Sequence, residues 1–169
     1  MRLRIGVAAA GAAALVLAGS ALGSRPAEAC SLKEAAAAVV ASSLPQEWKD
    51  EARHKYGPHE GLESVACRDF TRDGKTDMEA TFFSGGTAGD VAWVVFVRSG
   101  DTWKLALARL HDYKLTLFFR GSDIVESLPV YNKDDGNCCP TGGYDHRRLH
   151  WNGARLVVAR FWHDRSWKP

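Results

Sequence analysis

The run Asp69-Phe70-Thr71-Arg72-Asp73-Gly74-Lys75-Thr76-Asp77 places oxygen donors at its first, third and fifth positions, glycine at the sixth and a carboxylate at the ninth. This is the spacing of a calcium loop, in which alternate residues turn inward and glycine permits the sharp bend. The ligands would be Asp69, Thr71, Asp73, the backbone carbonyl of Lys75, and Asp77. Thr71 offers a hydroxyl where a carboxylate or amide is usual, and Ala80 stands where a twelfth-position glutamate would chelate. Three carboxylates therefore predict weak binding, about 10⁻⁴–10⁻³ M. The alternative is a metal-free Asp-Gly turn whose carboxylates accept from backbone amides.

A second chemistry lies near the C-terminus. Residues 145–169 carry six basic and two acidic side chains, whereas residues 30–144 carry 13 basic and 17 acidic ones. If Asn152-Gly153 is a two-residue hairpin turn, His150 faces Arg155, with Arg148 and His146 on the same face. Such a patch would suit an anionic envelope polymer, such as a teichoic acid or an acidic glycan, or a protein partner. The alternative is a solvated sheet face or a docking surface for the chain's own acidic half.

Other motifs carry less. Ser84-Gly85-Gly86-Thr87-Ala88-Gly89-Asp90 is glycine-rich, but a strand rather than a helix follows, so it reads as an interstrand loop and not a phosphate cradle. His146 and His150 have the spacing of a helical zinc pair, yet on a strand they would lie about 13 Å apart. There is no Gly-x-Ser-x-Gly elbow. The six tryptophans fall mostly within strand patterns and read as core.

The N-terminus places these features in a compartment. Arg2 and Arg4 precede an uncharged Ala/Val/Leu-rich run from Ile5 to Leu22, followed by Ala27-Glu28-Ala29. This order predicts a signal peptide over residues 1–29, with a retained membrane anchor as the rival reading. Residues 30–169 then form one domain with 19 basic and 19 acidic side chains. That neutrality argues against a general nucleic-acid binder. Cys30 would be the first mature residue, but Ala27, Glu28 and Ala29 make a poor lipobox. Lipid anchoring through Cys30 is accordingly the minority alternative to secretion. The cysteines Cys30, Cys67, Cys138 and Cys139 are even in number and predict two disulfides. Three connectivities exist. A bond between neighbours joins Cα atoms closer than a disulfide prefers, so Cys138 and Cys139 are expected to reach separately to Cys30 and Cys67.

Ser31 and Glu34 form a capping box ahead of an apolar stripe at Leu32, Ala35, Ala36, Val39 and Val40. A second, more polar helix is expected over 46–56. Strands are expected over 63–70, 78–84, 90–98, 102–110, 113–120, 122–131, 144–151 and 154–162, with Val91 to Val97 central and covered on both sides. The fold class is therefore α+β, with two N-terminal helices packed on a curved, mainly antiparallel multi-stranded sheet.

The Asp-rich loop resembles those of FG-GAP and other EF-hand-like repeats, although a lone copy excludes a propeller. Several stretches together resemble actinobacterial exported proteins of the LppP/LprE lipoprotein-like kind. These are Val65-Ala66-Cys67 through that loop, Ser84 to Asp90 with Trp93, Asp135 to Cys138-Cys139-Pro140-Thr141-Gly142 with Tyr144, and Trp151. The resemblance implies an exported protein and brings no catalytic residues with it. The expected function is a secreted or cell-envelope, non-enzymatic binding protein, with calcium as the one candidate cofactor. The alternatives are an exported hydrolase of an envelope polymer, marked by two carboxylates about 5–10 Å apart in a pocket, and an inhibitor of an envelope hydrolase.

Overall fold

The computed structural model describes residues 30–54, 56–57 and 59–169. The predicted leader over 1–29 lies outside the described residues. Helix α1 spans Leu32–Ala41 and helix α2 spans Gln46–His54. Ser31 caps α1 as its sequence requires: the Ser31 hydroxyl accepts from the Glu34 amide at 3.2 Å, and the Ser31 amide donates to the Glu34 carboxylate at 2.9 Å.

Nine strands follow among the described residues: β1 (Tyr56–Gly57), β2 (Glu60–Arg68), β3 (Asp77–Phe83), β4 (Asp90–Ser99), β5 (Thr102–Arg109), β6 (Thr116–Arg120), β7 (Asp123–Pro129), β8 (Tyr144–Trp151) and β9 (Leu156–Asp164). They form two antiparallel sheets rather than one. Sheet A has the order β1-β2-β3-β4-β5 and sheet B the order β6-β7-β8-β9. The break falls between β5 and β6. There His111 and Lys114 adopt φ of 64° and 51°, a conformation uncommon outside glycine. The segment turns back along the start of β4, with the amides of Asp112, Lys114 and Leu115 donating to the carbonyls of Val91, Ala88 and Asp90.

Alternation along β3 and β4 divides the core. Met78, Ala80, Phe82, Ala92, Val94 and Phe96 pack with Ala35, Val39, Leu44, Trp48 and Ala52 of the helical segment. Trp93 and Val95 point the other way and pack with Leu115, Ile124, Leu149 and Leu156 around sheet B. Strand β4 is thus central and buried on both faces, as its unbroken apolar run requires. No helix among the described residues is long and apolar enough to cross a membrane.

Ser99 pairs with Thr102 across Gly100-Asp101, the short hairpin that the sequence predicts. The Asn152-Gly153 turn differs from expectation. Trp151 pairs with Leu156, and the Asn152 side-chain carbonyl accepts from the amides of Ala154 and Arg155 at 3.1 and 3.0 Å. An asparagine turn of this kind closes a four-residue connection instead of a two-residue one. His150 consequently pairs with Val157, not Arg155.

Candidate functional site

Cys30 bonds to Cys67, and Cys138 bonds to Cys139. This corrects the expected pairing. The packing of α1 against β2 brings Cys30 to Cys67, with Cα atoms 5.8 Å apart. Cys138 and Cys139 sit in the connection between β7 and β8 of the other sheet.

In the 69–77 loop the carboxylates serve the backbone. Asp69 accepts from the amides of Asp73 and Gly74 at 3.1 and 2.9 Å, and from the Thr71 hydroxyl at 3.5 Å. Asp73 accepts from the Lys75 amide at 3.0 Å, which holds its pKa below the ordinary carboxylate value. Lys75 also turns its ammonium to Asp73 at 3.3 Å. Asp77 is buried and accepts from the amides of Thr71 and Arg98 at 2.9 and 3.0 Å. Burial outweighs those bonds and raises its pKa. Between these carboxylates Phe70 anchors the loop in the inter-sheet core, 5.9 Å from the Phe119 ring. Arg72 reaches Ser122 and Asp123 of the β6–β7 turn and β7 at 2.5 and 3.3 Å. The loop therefore pins one sheet to the other. Among the described residues no three His, Cys, Asp or Glu side chains converge as a metal site would require.

The expected anion patch does not assemble as a surface. His146 is fully buried, stacked against Trp162 with centroids 4.9 Å apart, and its Nε2 lies 3.0 Å from the Ser166 carbonyl and 3.3 Å from Asp164. Arg148 and His150 lie on that outer face, but both turn to Asp123, at 3.6 and 2.8 Å. Arg155 belongs to the turn. The wider connection at Asn152 shifts the register, and the C-terminal residues fold over the face, with the Trp167 carbonyl accepting from Ser127 at 3.1 Å.

The same basic, aromatic C-terminus instead helps build a cleft. It measures about 350 Å³ and is lined by Lys114, Thr116, Pro129, Tyr131, Cys138, Pro140, Tyr144 and Trp167, a size in the range of small-ligand sites. Its walls come from three places. Tyr131 packs edge-on to Tyr113 at 5.5 Å, with the Lys114 ammonium 5.3 Å from the Tyr113 centroid and 5.9 Å from that of Tyr131. Lys114 also donates to the Asn137 carbonyl, which accepts from the Tyr131 hydroxyl at 2.9 Å. Trp167 leans on Phe118 at 5.7 Å under the Lys168 ammonium at 4.8 Å.

The loop that carries the vicinal disulfide is held by Asp135. Its carboxylate accepts from the Asn132 amide at 2.7 Å, and from the Thr141 amide and hydroxyl at 2.8 and 2.7 Å. These bonds hold its pKa below the ordinary value. Gly142 and Gly143 permit the loop to close: a Cβ there would meet the Val130 or Asp164 carbonyl at 2.5 Å. Sequence reasoning missed this cleft because its walls lie far apart in the chain. The one signal was the clustering of Pro129 and Tyr131 before Asp135 and of Cys138, Cys139, Pro140 and Tyr144 after it.

Ionisable groups are also buried between the sheets. The Trp93 indole donates to Glu126 at 2.8 Å, and Arg147 reaches the other Glu126 oxygen at 3.0 Å. Burial beside Glu126 raises the pKa of Asp112. Glu79, fully buried and hydrogen-bonded to Thr81 at 2.6 Å, is pushed up to about 8 by loss of solvent. None of Glu79, Asp112 and Glu126 lines the cleft or the second described cavity, which lies beside α2.

These features define a disulfide-bonded, mostly β member of the mixed α+β class. No family model, curated protein or solved structure matches the chain.

Proposed function

We propose that the protein is an exported, non-enzymatic binding protein of the cell envelope, and that its cleft holds a segment of an anionic saccharide polymer. The observation that carries this reading is the lining: Tyr131, Tyr144 and Trp167 beside the Lys114 ammonium, with no carboxylate among them. Aromatic rings offer flat apolar faces for the C–H face of a sugar, and the ammonium favours an acidic substituent. A loop fixed at Asp135 and by a vicinal disulfide needs little ordering on binding, which favours affinity. The resemblance to LppP/LprE-like exported proteins belongs to the same proposal.

The hydrolase alternative asks for two carboxylates across a pocket. Glu47 and Glu51, which line the second cavity, stand one helical turn apart on α2 and so share one face of it. Calcium enters the proposal as an ion competing with backbone amides for Asp69 and Asp77, which sets its affinity at the weak end, about 10⁻³ M.

The test is a calorimetric titration of the oxidised protein with oligomers of a uronic acid and of glycerol phosphate, against a neutral glucan. Binding of an anionic oligomer that falls about tenfold in Lys114→Ala and in Trp167→Ala supports the reading. Equal binding of the neutral glucan, or no loss in either variant, sinks it. Release of new reducing ends would make the protein a hydrolase.

A further inference from the structure

The two disulfides differ in what else holds their surroundings. Cys30–Cys67 spans a sequence separation of 37, and both residues are half-buried. Cys138–Cys139 joins neighbours, and both are exposed on the β7–β8 connection, with Cys138 in the wall of the cleft. That connection is closed without the bond. The Val130 amide donates to the Gly143 carbonyl at 2.9 Å, and the Gly142 amide donates to the Val130 carbonyl at 3.0 Å. Inside it the Asp135 carboxylate ties Asn132 to Thr141. The Asn132 side-chain amide donates to the Thr141 hydroxyl at 2.8 Å, and the Cys139 amide to the Gly136 carbonyl at 3.0 Å. The Lys114 ammonium donates to the carbonyl of Asn137, the residue before Cys138, and lines the cleft with Cys138. Within the loop Lys133 and Asp134 carry opposite charges.

We propose that Cys138–Cys139 is a reactive disulfide that accepts two electrons from an external dithiol, with Cys138 as the leaving sulfur. Thiol–disulfide exchange needs an accessible sulfur, and exposed disulfides are the labile ones. A bond between neighbours restrains almost no chain, so opening it frees almost no conformational entropy. The hydrogen bonds around it keep the loop closed when it opens. The Lys114 ammonium stabilises a thiolate on Cys138, and the sulfur with the better-stabilised thiolate leaves faster. In the first step a donor thiolate attacks the Cys139 Sγ. A mixed disulfide forms, the Cys138–Cys139 bond breaks, and its electron pair goes to Cys138. The donor's second thiolate then attacks the donor sulfur of the mixed disulfide, closing the donor disulfide and releasing the Cys139 thiolate. The donor loses two electrons and two protons, and the two cysteines gain them as thiols. Cys30–Cys67 takes no part. The exchange does not depend on what the cleft holds.

The probe is dithiothreitol. The oxidised full protein is equilibrated in buffers of graded reduced-to-oxidised dithiothreitol ratio and quenched by alkylation, and the labelled cysteines are assigned by peptide mass. Cys138 and Cys139 are expected to open together at a ratio about tenfold or more below that for Cys30 and Cys67. Their opening should lower Tm by no more than about 4 °C, and oxidised dithiothreitol should re-form the bond in full. In a time course, Lys114→Met should slow the opening about threefold or more, and Lys114→Arg, which keeps the charge, should hold the wild-type rate. Opening of Cys30–Cys67 first or at the same ratio would overturn the proposal, as would unfolding when the neighbouring pair opens. A Lys114→Met rate equal to wild type would overturn the assignment of Cys138 as the leaving sulfur.

Discussion

The two faces of sheet A are both buried, but they are built differently. Toward the helices, β3 and β4 present Met78, Ala80, Phe82, Ala92, Val94 and Phe96, and the helical segment answers with Val39, Leu44 and Trp48. Toward sheet B the same two strands present Asp77, Glu79 and Thr81 beside Trp93 and Val95, and sheet B answers with Glu126 and Arg147. One layer is an apolar contact closed by the Cys30–Cys67 bond. The other mixes apolar packing with carboxylates whose charge is paired or suppressed. Apolar packing tolerates small adjustments, whereas a buried charge depends on its partner. The two faces should therefore fail in different ways.

The helix side should show the largest loss. The Cys30–Cys67 bond closes a loop across a sequence separation of 37. Cys30→Ser/Cys67→Ser is expected to cost about 4 kcal/mol, or about 15 °C in Tm, in a thermal melt. The Cys138–Cys139 bond closes almost no loop, and Cys138→Ser/Cys139→Ser should cost about 1 kcal/mol. Equal losses would mean that neither bond acts through chain entropy.

On the sheet-B side, Arg147→Met strands the fully buried Glu126 carboxylate and should cost about 3 kcal/mol by chemical denaturation. Adding Glu126→Gln should recover part of that loss. A double variant no better than the single one would show that Arg147 acts by packing alone.

A smaller effect separates the faces by pH. Burial raises the Glu79 pKa from 4.5 to about 8. Its contribution to stability is therefore complete below about pH 4.5 and is lost as pH rises toward 8. Asp90, raised to about 6, acts in the same direction over the lower part of that window. Asp73, Asp135 and Asp164 are lowered and act oppositely, losing stability as pH falls through their depressed values. Tm should thus decline from pH 5 to 8. Glu79→Gln should flatten the upper part of that decline and raise Tm at pH 8 by several degrees. A variant with the wild-type slope would place the titrating group elsewhere.

The smallest expected change comes from calcium. At about 5 mM the ion should raise Tm by only a few degrees, as a dissociation constant near 10⁻³ M implies. No calcium-specific rise would leave the 69–77 loop as a pin between the sheets. A rise approaching ten degrees would mean that the carboxylates prefer the ion to the amides.

Much of the fold is legible because its signals are local. Ser31 with Glu34 marks the start of α1, Gly100-Asp101 marks a hairpin, and the apolar run at Val91 to Val97 marks the central strand. The split into two sheets has no such mark, because the turn that makes it places histidine and lysine, not glycine, at positive φ. Alternation in β3 also misleads, since Asp77, Glu79 and Thr81 have the pattern of a solvent face yet are buried under sheet B. The anion patch does not form because His146 is buried, Arg148 and His150 turn to Asp123, and the Asn152 side chain widens the connection and moves Arg155 out of register. The two cavities were illegible for a different reason. Each collects side chains from segments that are remote in sequence, and periodicity carries no information about such meetings.

The chain-order layout of the sheets has a temporal consequence. All of sheet A lies within residues 56–109, whereas sheet B is unfinished until β9, and the cleft lacks a wall until Trp167 is in place. In a chain that emerges N-terminus first, the helices, sheet A and the Cys30–Cys67 bond can form while the rest is still being delivered. During that interval Trp93 and Val95 have no cover. The arrival of Ile124, Leu149 and Leu156 on β7, β8 and β9 is then what ends the exposure.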